Sequence, residues 1–153
     1  MLGATIVDHF YDQGYGPYAA ICELASRSTD VLIAELKAAI DIPYEEFLGP
    51  KHDEISRIAV VAGAGMRVEL YEEAASKGAQ AYITGEIRNH IDNEIGRSRD
   101  AQIMEYAKTT PMSLIGTSHA ASEFLVIKTQ MKQWFENDMH LDVQLIAEDH
   151  WWR

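Results

Sequence analysis

Leu114-Ile-Gly-Thr-Ser-His-Ala-Ala-Ser-Glu123 joins an apolar run to a helix-forming stretch. Met112 to Ile115 reads as a buried strand, Gly116-Thr-Ser118 as a tight polar turn, and His119 to about Asn137 as a helix. That helix has the clearest period in the chain. Ala120, Phe124, Ile127, Met131, Trp134 and Phe135 recur at helical spacing and are expected to face a core. A strand feeding a helix through a short turn is the repeating unit of an α/β fold.

The same unit occurs upstream. Arg57-Ile-Ala-Val-Val-Ala62 is a continuous apolar run bounded by Gly63, the pattern of a strand covered on both faces. Arg67 to Lys77 follows as a helix, with Val68, Tyr71 and Ala75 inward and Gly78 as its stop. Ala79 to Thr84 is the next strand, and Ala101 to Lys108 a helix ended ahead of Pro111. Between them, Ile87 to Asn93 is expected as one short helical turn and Gly96-Arg-Ser-Arg99 as a loop. Earlier still, Gly14-Tyr-Gly-Pro17 signals a turn and Tyr18 to Leu24 a strand. Ser28 or Thr29 caps a helix from about Asp30 to Ile40, with Leu32, Leu36 and Ile40 on one stripe. Pro43 ends it, and a short extended piece lies around Phe47-Leu48. Residues 1–13 give no clear pattern, Asp142 to Ala147 reads as a closing strand, and Trp151-Trp152 as core cover or a subunit contact. The expected class is α/β, a largely parallel (mixed) sheet flanked by helices, in one domain over residues 1–153.

Composition narrows the function. At 153 residues, 47% apolar and 24% charged, the chain is long enough for a core and too apolar to be disordered. A net charge of −11 repels phosphate backbones and anionic membranes, so neither nucleic acid nor membrane is an expected partner. No apolar run reaches membrane-spanning length, and the first residues lack the basic region of a signal peptide; a cytoplasmic location is expected. The single Cys22 excludes an internal disulfide and a cysteine-built zinc site. Its apolar setting, Tyr18-Ala-Ala-Ile-Cys22, reads as a small buried residue.

If the three strands ending at Ala62, Thr84 and Ile115 run parallel, three turns converge on one edge: Gly63-Ala-Gly65, Gly85-Glu86 and Thr117-Ser-His119. Open α/β sheets keep their ligands at that edge. His119 and Glu123 lie one helical turn apart, so a ring nitrogen and a carboxylate could close on one cation. The plainer reading makes Glu123 a complement to the helix dipole and His119 a polar residue near a cap. Glu86 and His90 repeat the four-residue offset and would suit general acid–base roles; a solvated short helix explains them equally well. Gly63-Ala-Gly65 could leave amides free for a phosphate, but it lacks the third glycine of a dinucleotide fingerprint and the lysine of a P-loop. His9 could face a site; His52, His140 and His150 read as solvated.

Ile58-Ala-Val-Val-Ala-Gly-Ala-Gly65, Glu72-Glu-Ala-Ala-Ser-Lys-Gly-Ala79, Ala81-Tyr-Ile-Thr-Gly-Glu-Ile-Arg-Asn-His90 and Gly116-Thr-Ser-His-Ala-Ala-Ser-Glu123 together resemble the C-terminal half of the NGG-interacting-factor-three family, also known as GTP cyclohydrolase 1 type 2 homologues. Gly14-Tyr-Gly16 through Leu24 resembles the strand opening that half, so the resemblance covers about residues 14–148. It implies one half of a fold built around a dinuclear metal centre, commonly a hexameric toroid. It implies metal ligation by His119 and Glu123, with Thr84-Gly85-Glu86 and His90 lining the cavity; Glu86 stands where the family usually has Asp. The family's His-His-Pro and His-Thr-Asn-Leu-Asp motifs are missing from this chain. The resemblance thus implies a divalent metal (zinc, iron, manganese or nickel), a homo-oligomer (dimer or hexamer) and, if the chain is catalytic, metal-dependent hydrolysis. The alternative is a non-enzymatic oligomerisation or regulatory module with a partial or vestigial site.

Overall fold

Ile58 to Val61 has no polar side chain to leave in water, so a strand built from it needs cover on both faces. The computed structural model describes residues 2–12, 14–88 and 90–147. Its strands are β1 (Thr5–Asp12), β2 (Pro17–Arg27), β3 (Glu46–Leu48), β4 (Ile55–Val61), β5 (Ala81–Thr84) and β6 (Ser113–Gly116). They form one sheet in the order β1-β2-β4-β5-β6-β3. β4, β5 and β6 run parallel. β2 joins β4, β1 joins β2 and β3 joins β6 antiparallel. The sheet is therefore mixed, and its parallel part is the set of three strands whose ends were expected to converge.

Alternation along these strands sorts their side chains into two cores. Ala59, Val61, Tyr82 and Leu114 face one, where Leu70, Tyr71 and Ala74 of α2 (Val68–Ser76) and Ile103 of α3 (Glu94–Tyr106) cover them. Ile58, Ala81, Ile83 and Ile115 face the other, covered by Leu32 and Leu36 of α1 (Thr29–Ile40). The crossovers β4-α2-β5 and β5-α3-β6 step the same way across the sheet, so a constant crossover hand puts both helices on one face. The rings of Tyr71 and Tyr82 meet edge to face, 4.7 Å between centroids. Tyr71 Oη donates to Ile87 O at 2.7 Å and Tyr82 Oη to Gly65 O at 2.8 Å. Neither buried hydroxyl is orphaned, so their burial carries no desolvation penalty of the unpaired kind.

Five expectations change. Thr5–Asp12, unreadable beforehand, is the edge strand β1. The expected loop Gly96–Arg99 lies inside α3, which starts where Asn93 Oδ1 accepts from Gly96 N at 2.7 Å. The described residues from Ile87 to Asn93 form no helical turn. Finally, the helix from His119 runs to Asn137 as α4 (His119–Val126), a π-helical segment (Ile127–Met131) and α5 (Lys132–Asn137), but its apolar stripe is not core. Ala121 is the only buried residue of the three segments, packed near Ile40 and Ile42. Ile127, Met131 and Trp134 are 40%, 44% and 51% exposed. Residues Asp142 to Ala147, expected as a strand, pair with no ladder; Val143 O instead accepts from Lys132 Nζ at 3.3 Å. His150, Trp151 and Trp152 lie outside the described residues.

Candidate functional site

Three turns meet at the C-terminal end of β4, β5 and β6, held by their own backbone. Glu86 N donates to Gly63 O at 3.2 Å, Thr117 N to Thr84 O at 3.0 Å and Ser118 N to Gly85 O at 2.8 Å. Thr84 Oγ1 donates to Gly63 O at 2.9 Å and accepts from Gly65 N at 3.0 Å. The glycines are steric necessities here. A Cβ on Gly85 would stand 2.7 Å from Gly63 O and 2.8 Å from His119 Cα; one on Gly63, which has φ +64°, would stand 3.0 Å from His119 Nε2. This explains the Gly63-Ala-Gly65 spacing. It is a packing turn whose Gly65 amide is committed to Thr84, not a free phosphate cradle.

The closure leaves a cleft of about 320 Å³ lined by Glu86, His90, His119 and Glu123, together with Tyr44 and Glu46. All four residues singled out from the sequence thus share one cavity wall. His119 Nε2 is 2.8 Å from Glu123 Oε1, and His119 Nδ1 is 3.7 Å from Glu86 Oε1, an ion-pair separation too long for a hydrogen bond. His90 Nε2 lies 3.3 Å from Glu46 Oε2. Glu46 also faces Arg88 at 3.6 Å, and Arg88 forks onto Asp100 of α3 at 2.9 and 2.8 Å. The Arg88 guanidinium holds the Asp100 carboxyl below the usual carboxylate range. Burial, reinforced by Glu46, pushes the Tyr44 phenol above its ordinary value, so it stays a neutral donor at the cleft.

Tyr44, Glu46, Arg88 and Asp100 were missed by sequence reasoning. Glu46 arrives because β3 pairs antiparallel with β6, opposite Gly116, and nothing local to Glu46 signals that distant register. His9 goes the other way. It sits on β1, with β2, β4 and β5 between it and β6, and does not line the cleft. His52 Nε2 is engaged by Pro111 O at 2.8 Å.

Two donors, each about 2.1 Å from a divalent ion, stand roughly 3 Å apart in neighbouring coordination positions. The 2.8 Å between His119 Nε2 and Glu123 Oε1 fits that span. Among the described residues, however, no three His, Cys, Asp or Glu side chains group as a metal-ligand set. The chain offers a two-donor corner and not a closed shell. Beside it, an apolar cavity of about 460 Å³ between α1, β4, β5 and α4 shares Gly85 and Glu123 with the cleft. No helix among the described residues is long and apolar enough to cross a membrane.

A family model described as Duf34/NIF3 (NGG1p interacting factor 3) matches residues 2–150. A GTP cyclohydrolase 1 type 2 homolog of Staphylococcus aureus (strain MRSA252) is 30% identical over 115 residues, 72% of this chain and 27% of that protein. Among solved structures, the protein ybgI, of unknown function, superposes with a TM-score of 0.71 at 22% identity over 98% of this chain and 53% of its own. A Bacillus cereus protein related to NIF3 gives 0.63 at 18% identity, over 87% of this chain and 34% of its own. At these identities the solved structures share the fold. This chain spans 27% of the length of the curated relative it matches.

Proposed function

The chain belongs to the Duf34/NIF3 (NGG1p interacting factor 3) family, and from that premise we propose that it binds a divalent metal and supports metal-assisted hydrolysis. The observation carrying this reading is the His119–Glu123 corner: two donors at ligand spacing, with a second carboxylate, Glu86, beside the other ring nitrogen. At 3.7 Å that carboxylate supplies a negative charge beside the ring; closing by about half an ångström would let it accept from Nδ1–H, as carboxylates do for metal-binding histidines. His119 and Glu123 would hold the ion. A mixed nitrogen and oxygen set suits zinc, iron, manganese or nickel.

When bound, the cation would supply Lewis acidity and lower the pKa of a coordinated water. The chain's own residues would do the rest. Glu86, beside the His119 ring, would accept a proton from the water, and His90, set by Glu46, would return one to the leaving group. Tyr44 would offer a neutral hydrogen-bond donor. The adjoining apolar cavity suits a substrate with an apolar portion next to the bond that is cut. The buried free thiol of Cys22 favours a reducing, cytoplasmic setting.

Metal content per chain of tag-free protein tests this reading, for wild type and for His119→Ala with Glu123→Ala. Near-stoichiometric metal that vanishes in the double variant is the expected result. Wild type that takes up no zinc or manganese on incubation would end the proposal.

One observation favours the second reading, a non-enzymatic oligomerisation module: the uncovered stripe of Ile127, Met131 and Trp134. A homo-oligomer, dimer or hexamer, would cover it. Assembly that survives in the metal-free double variant would separate this role from catalysis.

A further inference from the structure

In a chain of net charge −11, cations are rarely left without a carboxylate. Nine Lys and Arg side chains are paired with Asp or Glu within 4 Å. Among the described residues Arg67, Arg99 and Lys128 are the exceptions. Two of those three, Arg67 and Arg99, line one cleft of about 230 Å³ between the β1 end, the turn after Gly65 and α3. If the unpaired cations were merely leftover surface charge, two of the three would have no reason to share a cavity.

Arg67 is also pre-set. Its Nη1 donates to Tyr11 Oη at 2.6 Å and its guanidinium stands 6.0 Å from the Tyr11 ring centroid, leaving its remaining N–H groups for a ligand. Glu69 is the one carboxylate on the cleft wall; Met66, Val68 and Ile103 give it an apolar side. We propose that this cleft binds a phosphate group, free or carried by a small phosphomonoester, clasped between Arg67 and Arg99. Paired guanidinium forks match the oxygens of phosphate, and the volume admits the group with only a short organic remainder. This site is separate from the His119 cleft and needs no metal.

The test is calorimetric titration of metal-stripped full chain with inorganic phosphate and with phenyl phosphate. Sodium chloride at matched ionic strength serves as the anion control. Arg99→Gln is the key variant, because among the described residues Arg99 has no hydrogen-bond or ion-pair partner whose loss would disturb the fold. It should weaken phosphate binding roughly tenfold or more without lowering Tm, and Arg67→Gln should act alike. Lys128→Gln, which removes the third unpaired cation outside the cleft, should leave the affinity unchanged. Tighter binding of phenyl phosphate than of phosphate would assign the site to an ester; equal binding would assign it to the free ion. The proposal fails if neither phosphate binds more tightly than chloride. It also fails if Lys128→Gln weakens binding as much as Arg99→Gln, since the effect would then be net charge alone.

Discussion

Ser118 holds φ 113° and ψ 129°, a region in which a side chain is costly, at the point where β6 turns into α4. Such conformations cost on the order of 1–3 kcal/mol and persist where the surroundings over-determine them. Here the surroundings are plain: Ser118 N is tied to Gly85 O at 2.8 Å, and its hydroxyl accepts from Ala121 N at 3.3 Å. Substituting glycine removes the strain and forfeits a cap worth only a few tenths of a kcal/mol relative to Gly. Ser118→Gly should therefore raise Tm by about 2–4 °C. Ser118→Ala keeps the strain, loses the cap and should cost about 1 kcal/mol. Thermal unfolding of both variants decides it: a glycine variant that drops as far as the alanine one would mean the backbone here stores nothing. The same turn explains which site residues could be read in advance. Glu86, His90, His119 and Glu123 follow their own strands directly, so strand ends bring them together. Glu46, the first residue of β3, and Tyr44 just ahead of it reach the cleft through a pairing with β6 that is some seventy residues away in sequence.

At the scale of elements, α3 shows how local propensity misleads. Gly96 with neighbouring Arg and Ser reads as a loop, because glycine costs a helix interior roughly 1 kcal/mol relative to alanine. The helix tolerates Gly96 because the chain folds back just before it, and a Cβ there would run into the Ile91 carbonyl oxygen. Asn93 then caps the first turn. Gly96→Ala should accordingly reverse the usual sign. Propensity alone forecasts a gain of about 1 kcal/mol, whereas overlap with fixed backbone forecasts a loss of about 1–3 kcal/mol. Urea unfolding that gives a higher midpoint for Gly96→Ala would show that the Ile91 segment yields freely. The opposite error occurs from His119 onward. The apolar period is real and the helix forms, but periodicity states only that a face wants cover. It does not state which residues supply it, and among the described residues the stripe stays half exposed.

Across the whole molecule, what was legible is the part with the least freedom. β4, β5 and β6 are apolar on both faces, which admits one solution: parallel strands between helical layers. β1 escaped because only Phe10 along it is buried and a register shift between Ile6 and Asp8 breaks the alternation a strand should show. The core these strands build also sets the alkaline limit of the fold. Tyr71 and Tyr82 sit inside it, and burial pushes both phenols well above their ordinary value of 10. In the unfolded chain they ionise near pH 10; in the folded chain they remain protonated there. The native state then binds more protons than the unfolded one, so stability is untouched below pH 10 and falls as pH rises beyond it. These two groups alone should contribute roughly 2.7 kcal/mol per pH unit to the slope, about 1.36 from each. Tyr82→Phe removes one of them. It should lower stability near neutrality by about 1 kcal/mol, because Gly65 O loses its donor, yet take about 1.36 kcal/mol per pH unit off the alkaline slope. Urea midpoints measured across the alkaline range, alongside phenolate absorbance, separate the two effects. Slopes identical in wild type and variant would mean that Tyr82 already ionises in the folded chain, and that the core around it is open to water.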